Sequence, residues 1–281
     1  MPDQALKSEL PTSFTFSQSS LQDYADCPRL FQLRHIERLA WPAIEVEPVL
    51  ENERRQRAGQ AFHRLVQQHL IGLPLEKLSR LADTPDLKRW WGNYLEDLDL
   101  QDLKAGLNVE LVLTVPVGNY HLLAKYDLIA VTPVGKALIY DWKTYQRRPR
   151  DERMAARLQT RVYRTLLVQA GAHLNQGIPF EPEQVEMVYW YADFPGKPAR
   201  FPYTAAQYQR EWDGLCGMIQ EIANHRFFAP SEEGKKCAYC SYRSYCNRGE
   251  RAGLMDEAEA EMDAAAAEFN IDFEQIAEIE F

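Results

Sequence analysis

Lys136-Ala137-Leu138-Ile139-Tyr140-Asp141-Trp142-Lys143 is the stretch whose reading decides the fold. Ala137 to Tyr140 read as an apolar strand, yet the run ends in a carboxylate, an indole and an ammonium. Side chains two apart on a strand share a face, so Asp141 and Lys143 project to one side and Trp142 to the other. Charges at the end of an apolar strand need each other or a ligand, because an unpaired buried charge is costly. Taken alone, the pattern reads as an ordinary ion pair. Asp127, near the end of the preceding strand-like run, changes that reading, because it can meet Asp141 across a hairpin and make a two-carboxylate site. Two acidic oxygens and a few waters suit Mg²⁺ or Mn²⁺. Such an ion activates water and neutralises charge developing on a phosphate, and a neighbouring lysine adds positive charge.

Working outward, Val109 to Val115 and His121 to Val131 alternate like strands about a Gly118-Asn119 turn, which makes a hairpin. Pro133 to Gly135 turns the chain into the Lys136–Lys143 run. An arginine-rich helix from about Arg150 to Ala170, a strand near Val185 to Tyr191 and a helix from about Ala205 to His225 follow. Upstream, Ser20-Leu21-Gln22-Asp23 fits a capping box opening a short helix that Cys27-Pro28 ends. Glu51 to Leu70 carries an apolar stripe of Ala58, Ala61, Phe62, Leu65, Val66 and Leu70, with His63 beside it. A helical region from Leu75 to Leu103 brings Trp90, Trp91 and Tyr94, read as core. This order predicts an α/β fold, a mixed central sheet flanked by helices. The sequence shows no internal repeat and no Walker-type phosphate loop.

The chain has 281 residues, 46% of them hydrophobic, enough for a sizeable core and too many for a disordered chain. No window approaches the roughly 18 apolar residues of a membrane span, and Met1 to Phe14 lacks a basic segment followed by an apolar stretch. These features argue against a membrane or classically secreted protein, and a cytoplasmic one is expected. The net charge of −9 is concentrated in the last residues: Glu250 to Phe281 hold 11 acidic residues and one basic residue. The remaining 249 residues carry 31 Lys/Arg against 30 Asp/Glu, so the body is neutral and its basic stretches are free to meet nucleic acid. The expected organisation is a domain over residues 1–249 and an acidic tail over 250–281, which serves solubility or competes with DNA or docks a basic partner.

Five cysteines are too few for a disulfide scaffold, and Cys237-x2-Cys240-x5-Cys246 reads as metal binding in a reducing compartment. Three thiolates on short loops converge readily, which leaves a fourth ligand to find. Cys216 sits in the apolar helical run Leu215-Cys216-Gly217-Met218-Ile219 and reads as a structural thiol. Cys27 is distant in sequence. Spacing alone leaves tetrahedral zinc and an iron–sulfur cluster both open.

Asp127 followed by Asp141-Trp142-Lys143-Thr144 resembles the signature of the PD-(D/E)xK nuclease superfamily, specifically its RecB-like branch. That branch has a histidine in a Gly-x-x-x-His context, here Gly59 to His63, and a Gln-x-x-x-Tyr pair after the lysine strand, here Gln159 and Tyr163. Ser17-x-Ser19-Ser20-Leu21-x-x-Tyr24-x-x-Cys27-Pro28-Arg29-x-Phe31 resembles its cluster-bearing members, the AddB-type recombination nucleases and the iron–sulfur CRISPR-adaptation nucleases. The resemblance covers about residues 14 to 249. Ala124 stands where the family usually has a glycine, three residues before Asp127.

The resemblance implies a restriction-endonuclease-like fold with an iron–sulfur staple joining the N- and C-terminal segments. It implies that His63, Asp127, Asp141 and the Trp142 carbonyl hold Mg²⁺ or Mn²⁺. Lys143 would stabilise the attacking water and the transition state, and Gln159 and Tyr163 would position substrate or water. Cys27, Cys237, Cys240 and Cys246 would bind a 4Fe-4S cluster. The expected activity is hydrolysis of DNA, as an exonuclease, in repair, recombination or CRISPR adaptation, with proteins of those pathways as partners. The competing reading is a non-catalytic DNA-binding or assembly subunit, against which the intact Asp127, Asp141 and Lys143 argue.

Two further features bear on DNA. Arg150, Arg153, Arg157, Arg161 and Arg164 recur at helical spacing and are expected on one face, either meeting phosphates or simply solvated. Tyr145 and Trp190 are candidates for base stacking or for core.

Overall fold

The computed structural model of the chain describes residues 9–39, 47–97, 106–232, 236–237 and 240–248. In chain order, β1 (Thr15–Ser17), α1 (Gln18–Asp26), α2 (Pro28–Phe31) and a π-helical segment (Gln32–Ile36) precede α3 (Glu47–Leu70), α4 (Leu75–Leu81) and α5 (Pro85–Asp97). Then come β2 (Leu107–Val117), β3 (Tyr120–Val131), β4 (Ala137–Lys143), α6 (Asp151–Ala156), α7 (Leu158–Ala170), β5 (Val185–Tyr191), β6 (Ala199–Pro202) and α8 (Ala205–Asn224).

The strands form one mixed sheet in the order β1-β3-β4-β5-β6, with β2 also paired to β3. β4 and β5 are parallel, which demands a crossover, and α6 and α7 supply it. One edge of β3 is shared by two partners. β1 runs parallel to His121–Leu123, and β4 runs antiparallel to Leu128–Val131. Between them the sheet opens into a fork at Ala124–Asp127.

Helices cover both faces. One face packs Phe16, Leu21, Tyr126, Ile139, Val162, Leu166, Tyr189 and Ile219 beneath α1, α7 and α8. The other packs Phe62, Val66, Trp90, Tyr94, Trp142 and Trp190 beneath α3, α4 and α5. Burial on both sides explains why every residue of β5 is buried and why β4 reads as a continuous apolar run. Trp90, Trp91 and Tyr94 are core, as expected.

The β2–β3 hairpin holds one feature that the sequence pattern does not announce. Leu122, Ala124 and Tyr126 pack on the α7 face, whereas Leu128 and Ala130 pack on the α3 face. On β2, Leu113, Val115 and Val117 take the first face and Leu107 and Val109 the second. Both strands therefore change phase at facing positions, Glu110 and Asp127, which lie between the Val109↔Leu128 and Leu111↔Tyr126 pairs. Glu110 has φ +53°, a left-handed conformation that costs a non-glycine residue about 1–3 kcal/mol and turns the ribbon over.

Three expectations are corrected. The first helix is capped by Ser17, not Ser20: the Ser17 hydroxyl accepts the Ser20 N–H while the Ser20 hydroxyl accepts the Ser17 N–H, so Ser20 is the third helical residue of the box. The helical region expected from Leu75 is not continuous but two helices, α4 and α5, with the Thr84 hydroxyl accepting the Leu87 N–H to cap the second. The arginine-rich helix breaks at Arg157, whose ψ of 144° is extended. The end of the expected 75–103 helix and the tail over 250–281 lie outside the described residues.

Candidate active site

The fork builds the site. The last β3–β4 pair is Leu128↔Tyr140, and one step further along the same register Asp127 faces Asp141. The Asp127 carboxylate accepts the backbone N–H of Trp142 at 3.0 Å, replacing the ladder bond that ends there. Beyond that point, among the described residues, Asp141, Trp142 and Lys143 keep only β5 as a neighbouring strand, opposite Tyr189, Trp190 and Tyr191. The strand alternation holds: Trp142 enters the α3-side core, while Tyr189 and Tyr191 lie on the α7 side with Asp141 and Lys143.

His63 comes from α3 on the indole side of the sheet, with Nδ1 at 3.3 Å from Asp127 Oδ2. Phe62, fully buried, fixes the helix beside it. Gly59, one turn earlier, passes close to the end of β4: a Cβ there would lie 3.1 Å from Thr144 Oγ1. The Gly-x-x-x-His spacing thus places the close approach and the imidazole on the same side of one helix.

From the opposite face, α7 brings Gln159. Its Nε2 donates to Asp141 Oδ1 at 2.6 Å, and its Oε1 accepts from Lys143 Nζ at 3.2 Å. Lys143 Nζ also lies 2.7 Å from Asp141 Oδ2, and all three residues are buried. Tyr163 stands one turn further along α7. It is buried, with its ring 4.8 Å from Tyr126, whose hydroxyl donates to its carbonyl at 2.8 Å.

Burial pushes the two carboxyls in the same direction, yet they end apart. For Asp127 the upward push of burial is outweighed by the His63 charge and hydrogen bond, the Trp142 N–H and Lys143, so its carboxyl falls below the usual range. For Asp141 burial wins, Asp127 adds to it, and Lys143 only partly opposes, so its carboxyl rises. Burial alone would lower Lys143; Asp141, helped by Tyr145 and Tyr189, outweighs it and holds the ammonium charged.

The donor set suits a hard divalent cation. Two carboxylates and an imidazole border the fork, and Asp141 Oδ2, though beside the Lys143 ammonium, is a buried oxygen that accepts no well-directed hydrogen bond. Among the described residues, no three His, Cys, Asp or Glu side chains are already gathered as a cage. His63 instead pairs with Asp127, and Lys143 with Asp141.

The expected arginine face is corrected. Arg150, Arg153 and Arg161 are exposed, but Arg164 is buried against Glu211 at 2.9 Å and stacked 4.3 Å over Tyr203. Arg157 turns inward at the helix break and donates to the Tyr145 hydroxyl. No proline or glycine marks that break. Its visible cause is Thr160, whose hydroxyl donates to Met154 O at 2.6 Å across the junction. Tyr145 and Trp190, read as possible stacking platforms, are 2% and 3% exposed and belong to the core.

The C-terminal segment returns to the N-terminal one. Ser231 N–H donates to Cys27 Sγ at 3.3 Å, Arg29 N–H to Ala229 O at 3.2 Å, and the Tyr242 hydroxyl to Leu39 O at 2.9 Å. Arg248 donates to Cys237 Sγ at 2.9 Å. Burial raises the Cys246 thiol, and the charges of Cys27 and Cys237 raise it further, so all three lie within electrostatic reach. Cys216 stays on α8, packed against the α7-side core, where burial raises its thiol. No disulfide joins any of the five cysteines among the described residues.

A family model of the PD-(D/E)XK nuclease superfamily matches residues 15–247, and the chain belongs to that superfamily. Among solved structures, a Eubacterium rectale protein provisionally named an exonuclease is 11% identical with a TM-score of 0.51, over 86% of this chain and 91% of its own. A protein designated SSO0001 is 13% identical with a TM-score of 0.38, over 85% and 88%. No curated protein matches the chain. No helix among the described residues is long and apolar enough to cross a membrane.

Proposed function

We propose that this chain is a cytoplasmic Mg²⁺- or Mn²⁺-dependent deoxyribonuclease of the RecB-like branch, acting from DNA ends in repair, recombination or CRISPR adaptation. One observation carries it: the strand fork that sets Asp127 opposite Asp141, with the buried Lys143–Gln159 pair locked to Asp141. His63, Asp127, Asp141 and the Trp142 carbonyl would hold the ion, which supplies a Lewis acid at the phosphate and a more acidic water.

The chain's own residues do the rest. Lys143 places an ammonium beside the phosphate whose charge grows as water adds to phosphorus and one ester P–O bond breaks. Gln159 fixes Lys143 and Asp141 in register through its two amide bonds, and Tyr163 stands one turn further along α7. Asp127, held ionised by His63 and the Trp142 N–H, keeps the fork open against re-pairing of the strands.

Cys27, Cys237, Cys240 and Cys246 form the proposed 4Fe-4S site. The contacts of Cys27 with Ser231 and of Cys237 with Arg248 support it, since both bring N–H donors to sulfurs as cluster ligation favours. The cluster would close residues 1–249 into a single domain, with 250–281 as an acidic extension. The deciding experiment incubates anaerobically purified protein with 5′- and 3′-end-labelled linear DNA, single- and double-stranded, and with covalently closed circles, with and without Mn²⁺. Mn²⁺-dependent release of short products from linear DNA alone supports the reading. Cleavage of circles corrects it to an endonuclease, and DNA binding without cleavage overturns it in favour of a non-catalytic subunit.

A further inference from the structure

Arg157 was expected on an arginine face that meets phosphates or is simply solvated, and it is instead drawn toward the site. It stands at the junction of α6 and α7 with φ −63° and ψ 144°, the extended residue between the two helices. Nη1 donates to the Tyr145 hydroxyl and approaches Met154 Sδ at 4.0 Å. The Tyr145 ring in turn lies 6.0 Å beneath Lys143 Nζ. Tyr145 thus links the guanidinium to Lys143, and the Asp141 and Lys143 charges both act on it.

What Arg157 lacks is an anion in contact, since the Asp141 charge acts on it only from a distance. Arg164, two turns along the same crossover, is more deeply buried but has Glu211 at 2.9 Å, the Pro202 carbonyl at 3.2 Å and the Tyr203 face. Among the described residues Arg157 has no carboxylate within ion-pair distance, and its Nε is buried with no hydrogen-bond partner. Its only polar contacts there are a neutral hydroxyl and a thioether. A guanidinium taken from water without a counter-charge is costly, and such a group is kept where a ligand brings the missing charge. With Nη1 engaged, the Nε–Nη2 edge remains, the fork that matches two oxygens of one phosphate. The residue keeps partial exposure, so the side chain is enclosed without being sealed.

We propose that Arg157 is a substrate-binding residue that takes a phosphate of the DNA strand at the active site, next to the one facing Lys143. The inference rests on the nuclease reading above. Tyr145 orients the guanidinium, and the α6–α7 break exists to deliver it.

The test measures binding of a fluorescein-labelled DNA by anisotropy in EDTA, where no cleavage occurs, from about 50 to about 200 mM NaCl. Wild type, Arg157→Ala and Arg157→Lys are compared, each with a thermal melt. One lost phosphate contact lowers the magnitude of the log Kobs against log salt slope by about 0.7–0.9 in Arg157→Ala. In Mn²⁺ its kcat/KM falls about 10- to 100-fold, the size of a charged hydrogen bond. Arg157→Lys restores the slope while recovering only part of the rate, because a point charge replaces the fork. An unchanged slope in Arg157→Ala overturns the proposal, whatever the melt shows. Should Arg157→Ala not fold, an Arg157→Gln variant with an unchanged slope does the same. Wild type that binds DNA but never cleaves it defeats the nuclease reading instead, and leaves the slope measurement standing.

Discussion

Replacing Lys143 by methionine, Asp141 by asparagine, or both, reads the centre of this site as a thermodynamic cycle. The two side chains are 8% and 4% exposed and 2.7 Å apart, so each is the other's main counter-charge. Removing one partner of a buried ion pair strands the other and costs about 3–5 kcal/mol. Lys143→Met also frees Gln159 Oε1, and Asp141→Asn leaves the ammonium with Gln159 and the faces of Tyr189 and Tyr145 at 5.5 and 6.0 Å. Both singles should therefore fall within that range. The double variant strands no charge, and the amide oxygen that Asp141→Asn leaves in place can still accept from Gln159, so it should cost about as much as one single change, or less. The coupling is then at least about 3–5 kcal/mol, the cost of one single change. Urea unfolding in EDTA, followed by circular dichroism and tryptophan fluorescence, gives all four stabilities. All three variants should be inactive, so activity cannot separate them but stability can. Costs that simply add, within about 0.5 kcal/mol, would show two independently solvated charges and refute the account of the site as a buried pair.

Gly59→Ala should lower activity about tenfold by pressing a methyl toward the Thr144 hydroxyl 3.1 Å away, and the added Thr144→Ala change should restore it; failure of that rescue would detach the effect from the contact. Mn²⁺ at 100 times its dissociation constant should stabilise the wild-type protein by about 2.7 kcal/mol, and His63→Ala should need more Mn²⁺ for the same shift in melting temperature. An unaltered Mn²⁺ titration in that variant removes His63 from the ligand set. Anaerobically prepared protein should be brown, Cys27→Ala should bleach it and Cys216→Ala should not. One zinc and no iron in the purified protein would replace the cluster with a zinc site, and colour kept in Cys27→Ala would point to Cys216.

Much of this was legible because strand periodicity and short motifs act locally. The alternation of Asp141, Trp142 and Lys143 follows from the pleat alone, and the facing of Asp127 and Asp141 follows from a tight turn between apolar runs. The Gly59 and His63 spacing and the Gln159 and Tyr163 spacing are each one helical turn. What stayed hidden depends on contacts distant in sequence or on backbone choices that no residue type marks. Ser17 and Ser20 are chemically equivalent as caps, and which one serves is set by where β1 lets go of the chain. Arg157 sits in a run of good helix formers, so helical spacing continues straight through the break that Thr160 and Met154 impose. Tyr145 and Trp190 resemble stacking residues in composition, and only the two covered faces show them to be core.

The fork explains why the site draws on both sides of a sheet that otherwise keeps them apart. Helices cover each face, so a side chain on α3 and one on α7 are separated by the sheet wherever the strands pair. Between His121–Leu123, which hold β1, and Leu128–Val131, which hold β4, that barrier opens. The phase change at Glu110 and Asp127 falls in the same opening and swings Asp127 to its rim. His63 then reaches Asp127 from one face, and Gln159 reaches Asp141 from the other. Asp127 and Asp141 sit where the two sets meet, and the Trp142 N–H spent on Asp127 keeps the strands from closing over them. An acidic pair in a fully paired sheet would be shielded by its own neighbours; here the missing ladder bonds are what make it reachable.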